Sequence, residues 1–204
     1  MMIYDVAIVG AGVIGSMLAR ELSRYRLSVC VLEKENDVAM GASRANSGII
    51  HGGYDPVPGT LKAQLNTEGV ELLFAAAQEL RVPHSRNGSM VCAFGSEEEH
   101  ALLEKLYRRG LENSTPGLSL LSGDEARILE PNLSSGVSMV LHVPNAGIVG
   151  PYELTIAAMG NAMDNGVTLI RNFHVSRITR VSDVFHVTSA SGEQVQGAYL
   201  VNCA

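Results

Sequence analysis

The sequence has little cysteine, no long apolar run and no basic block. Cys30, Cys92 and Cys203 are three among 204 residues. The number is odd and no C-x-x-C pair occurs, so neither a disulfide framework nor a zinc site is expected. Cys30 and Cys203 fall in apolar strand patterns and read as inert core thiols. No stretch of about 18 or more apolar residues exists, so no membrane-spanning helix is expected. Net charge is −6 without a basic cluster, which argues against nucleic acid as a partner. No basic segment precedes the first strand, so a secretory signal is not expected and a reducing cytoplasm is the expected location. Membrane-peripheral attachment of a full-length form stays open. No repeat, no Ser-His-Asp spacing and no metal-ligand spacing stands out, and no metal is expected.

Against these absences, hydrophobic residues make up 46% of the chain and charged residues 18%, enough for a real core in one large domain or two small ones. The richest stretch is Met1 to Lys34. Tyr4-Asp5-Val6-Ala7-Ile8-Val9 reads as a buried strand and runs straight into Gly10-Ala11-Gly12-Val13-Ile14-Gly15. A helical pattern follows, then the apolar Ser28–Leu32, then the acid Glu33. A lone G-x-G-x-x-G is weak. Here strand, turn, helix and acid stand in the order of a dinucleotide-binding βαβ unit. Gly10 permits the tight turn, Gly12 lets backbone approach a pyrophosphate, and Gly15 lets helix and strand pack closely. The helix start offers N–H groups and partial positive charge to phosphates. Glu33 can accept a hydrogen bond from a ribose 2′-OH and would repel a 2′-phosphate.

Lys34 to Gly59 reads as a long irregular loop rich in glycine, a length often tied to function. Thr60 caps an expected helix over Leu61–Leu80, with Leu61, Leu65, Leu72, Leu73, Ala76 and Leu80 at helical spacing. Phe74-Ala75-Ala76-Ala77 should be core. Residues 88–94 look like a strand. Ser96 and Glu99 form a capping box for a helix ending near Gly110, so the acids Glu97, Glu98 and Glu99 mark a helix start rather than a metal site. Ser122 and Glu125 cap a second short helix. Val137–Val143 is strand-like. Pro151 opens another helix that Asn165-Gly166 closes. After Val167–Arg171, strands are expected over His174–Val181, Val184–Ser189 and Gln194–Val201. Residues 1–80 and 149–204 are expected to form the nucleotide domain, and residues 81–148 an insert over a substrate site.

Three segments together resemble the FAD-dependent oxidoreductases of the D-amino-acid oxidase type. Asp5 to Glu33, with Ala19, Leu22 and Val29 in step, is similar to the family's FAD fingerprint. Gly41-Ala42-Ser43-Arg44-Ala45-Asn46-Ser47-Gly48-Ile49-Ile50-His51-Gly52-Gly53 resembles its second cofactor loop. His174 to Ile178 and Tyr199 to Ala204 resemble its third segment, ending on a strand. Asn87-Gly88-Ser89, Glu130-Pro131 and Pro144 to Pro151 fit as well. Asn46 to Gly53 and Pro58 to Ala63 most resemble glycerol-3-phosphate and L-2-hydroxyglutarate dehydrogenases.

The resemblance implies an α/β fold, a Rossmann-like FAD-binding domain with an inserted, incomplete α+β substrate domain. It implies FAD as cofactor, held by Gly10, Gly12, Val13, Ile14, Gly15, Glu33, Lys34, Ser43, Asn46, Ser47, Gly48, Val175 and Ala204. Ser43, Asn46 and Ser47 suit phosphate and ribityl oxygens, and Gly48, Gly52 and Gly53 let backbone lie flat against a ring system. Val175 would offer its backbone to the adenine edge. His51 would lie near the flavin, to orient the ring, to act as a base or to carry a covalent link. The implied substrate is a small hydroxy compound, glycerol 3-phosphate first, then L-2-hydroxyglutarate or another 2-hydroxy or amino acid. The acceptor would be a quinone, oxygen or an iron–sulfur protein. Two alternatives stay open: a catalytically incomplete FAD-binding module needing a second chain, and a pyridine-nucleotide protein, against which the 46–53 loop speaks.

Two features depart from the family pattern. Arg26 stands where glycine is usual, which would cost on the order of 1 kcal/mol if the backbone there were left-handed. The strand pattern also runs to Asn202-Cys203-Ala204 without a capping segment. The chain is therefore expected to be a piece of a longer protein, carrying the adenine and pyrophosphate half of the site.

Overall fold

The computed structural model describes residues 2–204. The chain starts with β1 (Ile3–Val9), α1 (Val13–Leu22) and β2 (Val29–Leu32). Next come β3 (Ile49–Ile50), α2 (Leu61–Glu79), β4 (His84–Ser85), β5 (Ser89–Ala93), α3 (Glu97–Glu112), β6 (Ser119–Ser122), α4 (Gly123–Leu129), β7 (Met139–Val143) and β8 (Gly147–Val149). It ends with α5 (Pro151–Asp164), β9 (Thr168–Ile170), β10 (Val175–Val181), β11 (Val184–Ser189) and β12 (Gln194–Asn202). Two units result, Met1–Ser47 with Gly150–Ala204, and Gly48–Val149.

The first unit is built on one sheet in the order β10-β11-β12-β1-β2-β9. β12, β1, β2 and β9 run parallel, and β10 and β11 add an antiparallel edge. Side chains of β1 and β2 alternate between two buried faces, as parallel strands covered on both sides require. Val6, Ile8, Val29 and Val31 pack with Ala19 of α1 and with Met159 and Ala162 of α5. Ala7, Cys30 and Leu32 point the other way, onto Phe173, Val187 and Val195. This is the α/β architecture expected from the opening strand, turn and helix.

The second unit holds two three-stranded sheets, β3-β8-β4 and β5-β7-β6, with α2, α3 and α4. β7 forms the centre of the latter, and its Leu141 and Val143 pack on Leu103, Leu106 and Leu118. Ser96 and Ser122 each make the expected reciprocal capping box, with Glu99 and Glu125. The short strands β3, β4, β6 and β8 were not expected, and β3 lies inside the stretch read as irregular.

Three expectations need correction. The boundary between units falls at Ser47/Gly48, not at residue 80. Ile49 and Ile50 pair with Ile148 and Gly147, and Phe74 of α2 lies against His84 of β4, so both segments belong with the insert. The leucines of α2 are not its buried face: Leu61, Leu65 and Leu72 are 67%, 55% and 69% exposed. Phe74, Ala76 and Ala77 are buried as expected, joined by Ala63 and Val70, while Ala75 is exposed. Finally, α1 ends at Leu22, and Arg26 is not among the residues with positive φ. The glycine of the family pattern is not needed there, and no strain arises.

Urea unfolding followed by circular dichroism checks the second unit. Leu141→Ala should lose about 2–5 kcal/mol, as deletion of a fully buried leucine does. Ser96→Ala should lose about 1 kcal/mol, the worth of one helix cap.

Candidate functional site

The ends of β1, β2 and β12 meet at Gly10. Its N–H donates to the Leu32 carbonyl at 2.8 Å, while Cys203 N–H donates to the Val9 carbonyl at 2.8 Å. Gly10 has a φ of +99°, and a Cβ there would lie 2.8 Å from the Cys203 carbonyl oxygen. A Cβ on Gly15 would run into the Gly10 carbonyl oxygen. Both glycines are therefore demanded by backbone packing. At the N-cap of α1, Gly12 brings no side-chain cap. One amide of this first turn is taken: Val13 N–H donates to Ser43 Oγ at 2.8 Å. That bond ties the 41–47 loop to the helix start.

Glu33 is 8% exposed at the end of β2. Its Oε2 accepts from Ala11 N–H at 2.7 Å and its Oε1 from Glu35 N–H at 3.0 Å. A carboxylate offers about four lone-pair directions, so capacity for a further hydroxyl donor remains. In this arrangement the acid also braces the glycine turn, a role its spacing alone did not reveal.

A cavity of about 520 Å³ opens beside these groups. That volume is within the range of small-molecule and cofactor sites. Of the residues singled out in the sequence, Gly10, Gly12, Glu33, Lys34, Ser43, Val175 and Ala204 line it. Val13, Ile14, Gly15, Asn46 and Ser47 lie in the same unit but are not among its lining residues. Asn46 Nδ2 donates to the Ala42 carbonyl at 3.0 Å, shaping the loop from within. Gly48 and His51 belong to the second unit.

The cavity also recruits Met40 and Phe173, which sequence reading left out, and His174 and Cys203, which lie in the segments 174–178 and 199–204 singled out above but were not assigned to the cofactor. Phe173 and His174 adjoin Val175, so the signal was their neighbourhood. Cys203 corrects an expectation: it is partly buried and lines the cavity, unlike Cys30. Burial pushes the Cys30 thiol up to about 12 and raises that of Cys203 as well. Elsewhere, His100 Nε2 sits 2.7 Å from Ser138 Oγ, but the serine hydroxyl donates to the Ala93 carbonyl. The pair is a structural bridge, not an activated nucleophile.

The glycine turn, the bracing acid and the cavity thus stand together at the ends of β1, β2 and β12. Residues 5–204 match the profile of the FAD-dependent oxidoreductase (DAO) family. The chain belongs to this family. FAD, not a pyridine nucleotide, is thus its cofactor. The chain is 43% identical over 201 residues to a glycerol 3-phosphate dehydrogenase of Caloramator mitchellensis, covering 98% of this chain and 42% of that protein. It is 38% identical over 162 residues to a mitochondrial L-2-hydroxyglutarate dehydrogenase of Dictyostelium discoideum, with coverage of 78% and 36%. Among solved structures, the dithionite-reduced L-α-glycerophosphate oxidase of Mycoplasma pneumoniae with FAD bound superposes with a TM-score of 0.90 at 30% identity. That match covers 98% of this chain and 53% of the oxidase. This flavoprotein chain therefore spans about half or less of the length of these relatives. Among the described residues, no helix is long and apolar enough to cross a membrane.

The close approach of Gly15 to Gly10 is open to test. Gly15→Ala should destabilise the fold by about 1–3 kcal/mol, as overpacking does. Gly41→Ala, with open space around the added methyl, should change stability little. Thermal melts of the two variants beside the parent decide it.

Proposed function

We propose that the cavity at the Gly10–Gly15 turn holds the adenosine and pyrophosphate of FAD, and that the protein oxidises a small hydroxy compound. The observation that supports this most is the convergence of Gly10, Gly12, Glu33, Ser43 and Val175 on one cavity. In this reading Gly10, Gly12, Val13, Ile14 and Gly15 form the turn on which the pyrophosphate lies, with the Gly10 and Val13 amides already held by Leu32 and Ser43. Glu33 accepts from a ribose hydroxyl while it braces Ala11, and Lys34 lies beside it. The backbone of Val175 meets the adenine. Ser43, Asn46, Ser47 and Gly48 serve the phosphate and ribityl oxygens, and Ala204 closes the wall. Bound FAD supplies a two-electron acceptor at its flavin ring. His51 is assigned to the substrate side, as the group that takes the hydroxyl proton or orients the ring.

Glycerol 3-phosphate is the first substrate, supported by the 43% identity to a glycerol 3-phosphate dehydrogenase. L-2-hydroxyglutarate is the second reading, supported by the 38% identity to an L-2-hydroxyglutarate dehydrogenase. The test is the visible spectrum of the protein with FAD under anaerobic conditions. A retained flavin band that bleaches with glycerol 3-phosphate supports the first, and bleaching with L-2-hydroxyglutarate alone supports the second. A band that neither compound bleaches means a cofactor-binding module without turnover. Colour carried into an acid pellet would reveal a covalent flavin.

Alkylation reads the cavity directly. A raised thiol pKa leaves less thiolate at pH 8, so Cys92 and Cys203 should react more slowly than a free thiol, and Cys30 not at all. Added FAD should protect Cys203 and leave Cys92 unchanged. Equal rates at Cys203 with and without FAD would contradict this placement.

A further inference from the structure

His51 follows directly on the two-residue strand β3. On its N-terminal side the backbone is held by β8: Val149 N–H donates to the Gly48 carbonyl at 2.9 Å, and Ile49 and Ile50 pair with Ile148 and Gly147. Carried past the strand end, this antiparallel register sets His51 opposite Ala146 and Gly52 opposite Asn145. Backbone pairing has stopped there, but the contact has not. Asn145 Nδ2 donates to the Gly52 carbonyl at 3.0 Å, so a side chain continues the ladder where the backbone leaves it.

Asn145 is only 7% exposed, and its Oδ1 is buried without a hydrogen-bond partner. A buried, unpaired amide oxygen is costly, so packing alone would favour an apolar residue. The same oxygen lies 2.5 Å from where a Cβ on Gly52 would stand, so Gly52 is what admits the carboxamide. A second carboxamide takes over one residue later. Asn113, at the end of α3, donates through Nδ2 to the carbonyls of Gly53 and Pro56, both at 2.9 Å. Arg109 of the same helix donates to the Asp55 carbonyl at 3.2 Å. The imidazole of His51 itself is exposed, so the backbone is what sets its place.

We infer that Asn145 and Asn113 are positioning residues for His51, clamping the backbone that follows it as β8 clamps the backbone before it. Their relevance to catalysis rests on the assignment of His51 to the substrate side. The clamp itself can be read in the cofactor-free chain. Preorganisation of a reactive group by hydrogen-bonded neighbours is what holds it in a productive geometry.

Asn145→Asp keeps size and removes the donor, and Asn113→Asp does the same on the far side. Amide hydrogen exchange of peptides spanning residues 51–56 should quicken about fivefold to tenfold in each variant, the effect of losing one or two backbone clamps. Exchange in α5 should stay as in the parent. The ring resonances of His51 should broaden or split. If Asn145→Asp does not fold, Asn113→Asp reads the same segment. Folded variants with parental exchange over 51–56 and a single unshifted His51 ring signal would overturn the inference. A parallel FAD titration of the parent reads the other question. Movement of the His51 resonance supports its assignment, and a stationary resonance overturns that assignment alone.

Discussion

Three backbone segments crowd onto one point at the end of β1, and most of the first unit depends on their being able to do so. Gly15 must pass the Gly10 carbonyl, and Gly10 must pass the carbonyl of Cys203. With no side chain in either place, α1 lies close on the sheet and β12 closes beside β1. The open amides of α1 then sit where the carboxyl ends of the strands converge. Glu33 and Ser43 fasten this crossing from two sides, one to Ala11 and one to Val13. The cavity is thus a by-product of close packing: what makes the fold tight is also what exposes backbone donors to a ligand.

The second unit solves a different problem. It must hold an irregular glycine-rich segment steady without giving it a long strand. It does so with side-chain carboxamides and an arginine that reach backbone carbonyls, from Asn145, Asn113 and Arg109. Such bonds replace the ladder partners that a loop lacks, and Gly52 leaves room for the Asn145 carboxamide that makes one of them. In exchange, the unit tolerates unpaired oxygens on Asn145, Asn66 and Thr115.

What could be read in the sequence was local. The βαβ start, the capping boxes at Ser96 and Ser122, and the Pro151 opening of α5 each lie within a few residues, and each formed as expected. Seven of the residues singled out for the cofactor also meet on one cavity. The rest depended on distant partners. Two-residue strands such as β3 and β4 carry no periodicity, and only pairing with β8 defines them. The leucines of α2 fit a helix as well as Ala63, Val70 and Phe74 do, and tertiary packing chose between the stripes. The domain boundary at Gly48 follows from that same pairing with β8. Asn145 reaches Gly52 across 93 residues of sequence, so no motif announces it.

The register of β1 has a consequence for how the chain becomes a protein. Its neighbour on one side, β2, follows within a short stretch, but Ile3 must wait for Gln196 to find its partner on the other. Everything between Gly48 and Val149 leaves the ribosome before the sheet can be completed. The insert, whose pairings all close within its own span, is thus free to mature first. The half-sheet of β1 and β2 waits as an open edge, and long-range parallel closure of this kind is slow and exposed to aggregation. Within these residues, the strand made before the insert gains its second neighbour only after the insert has been made.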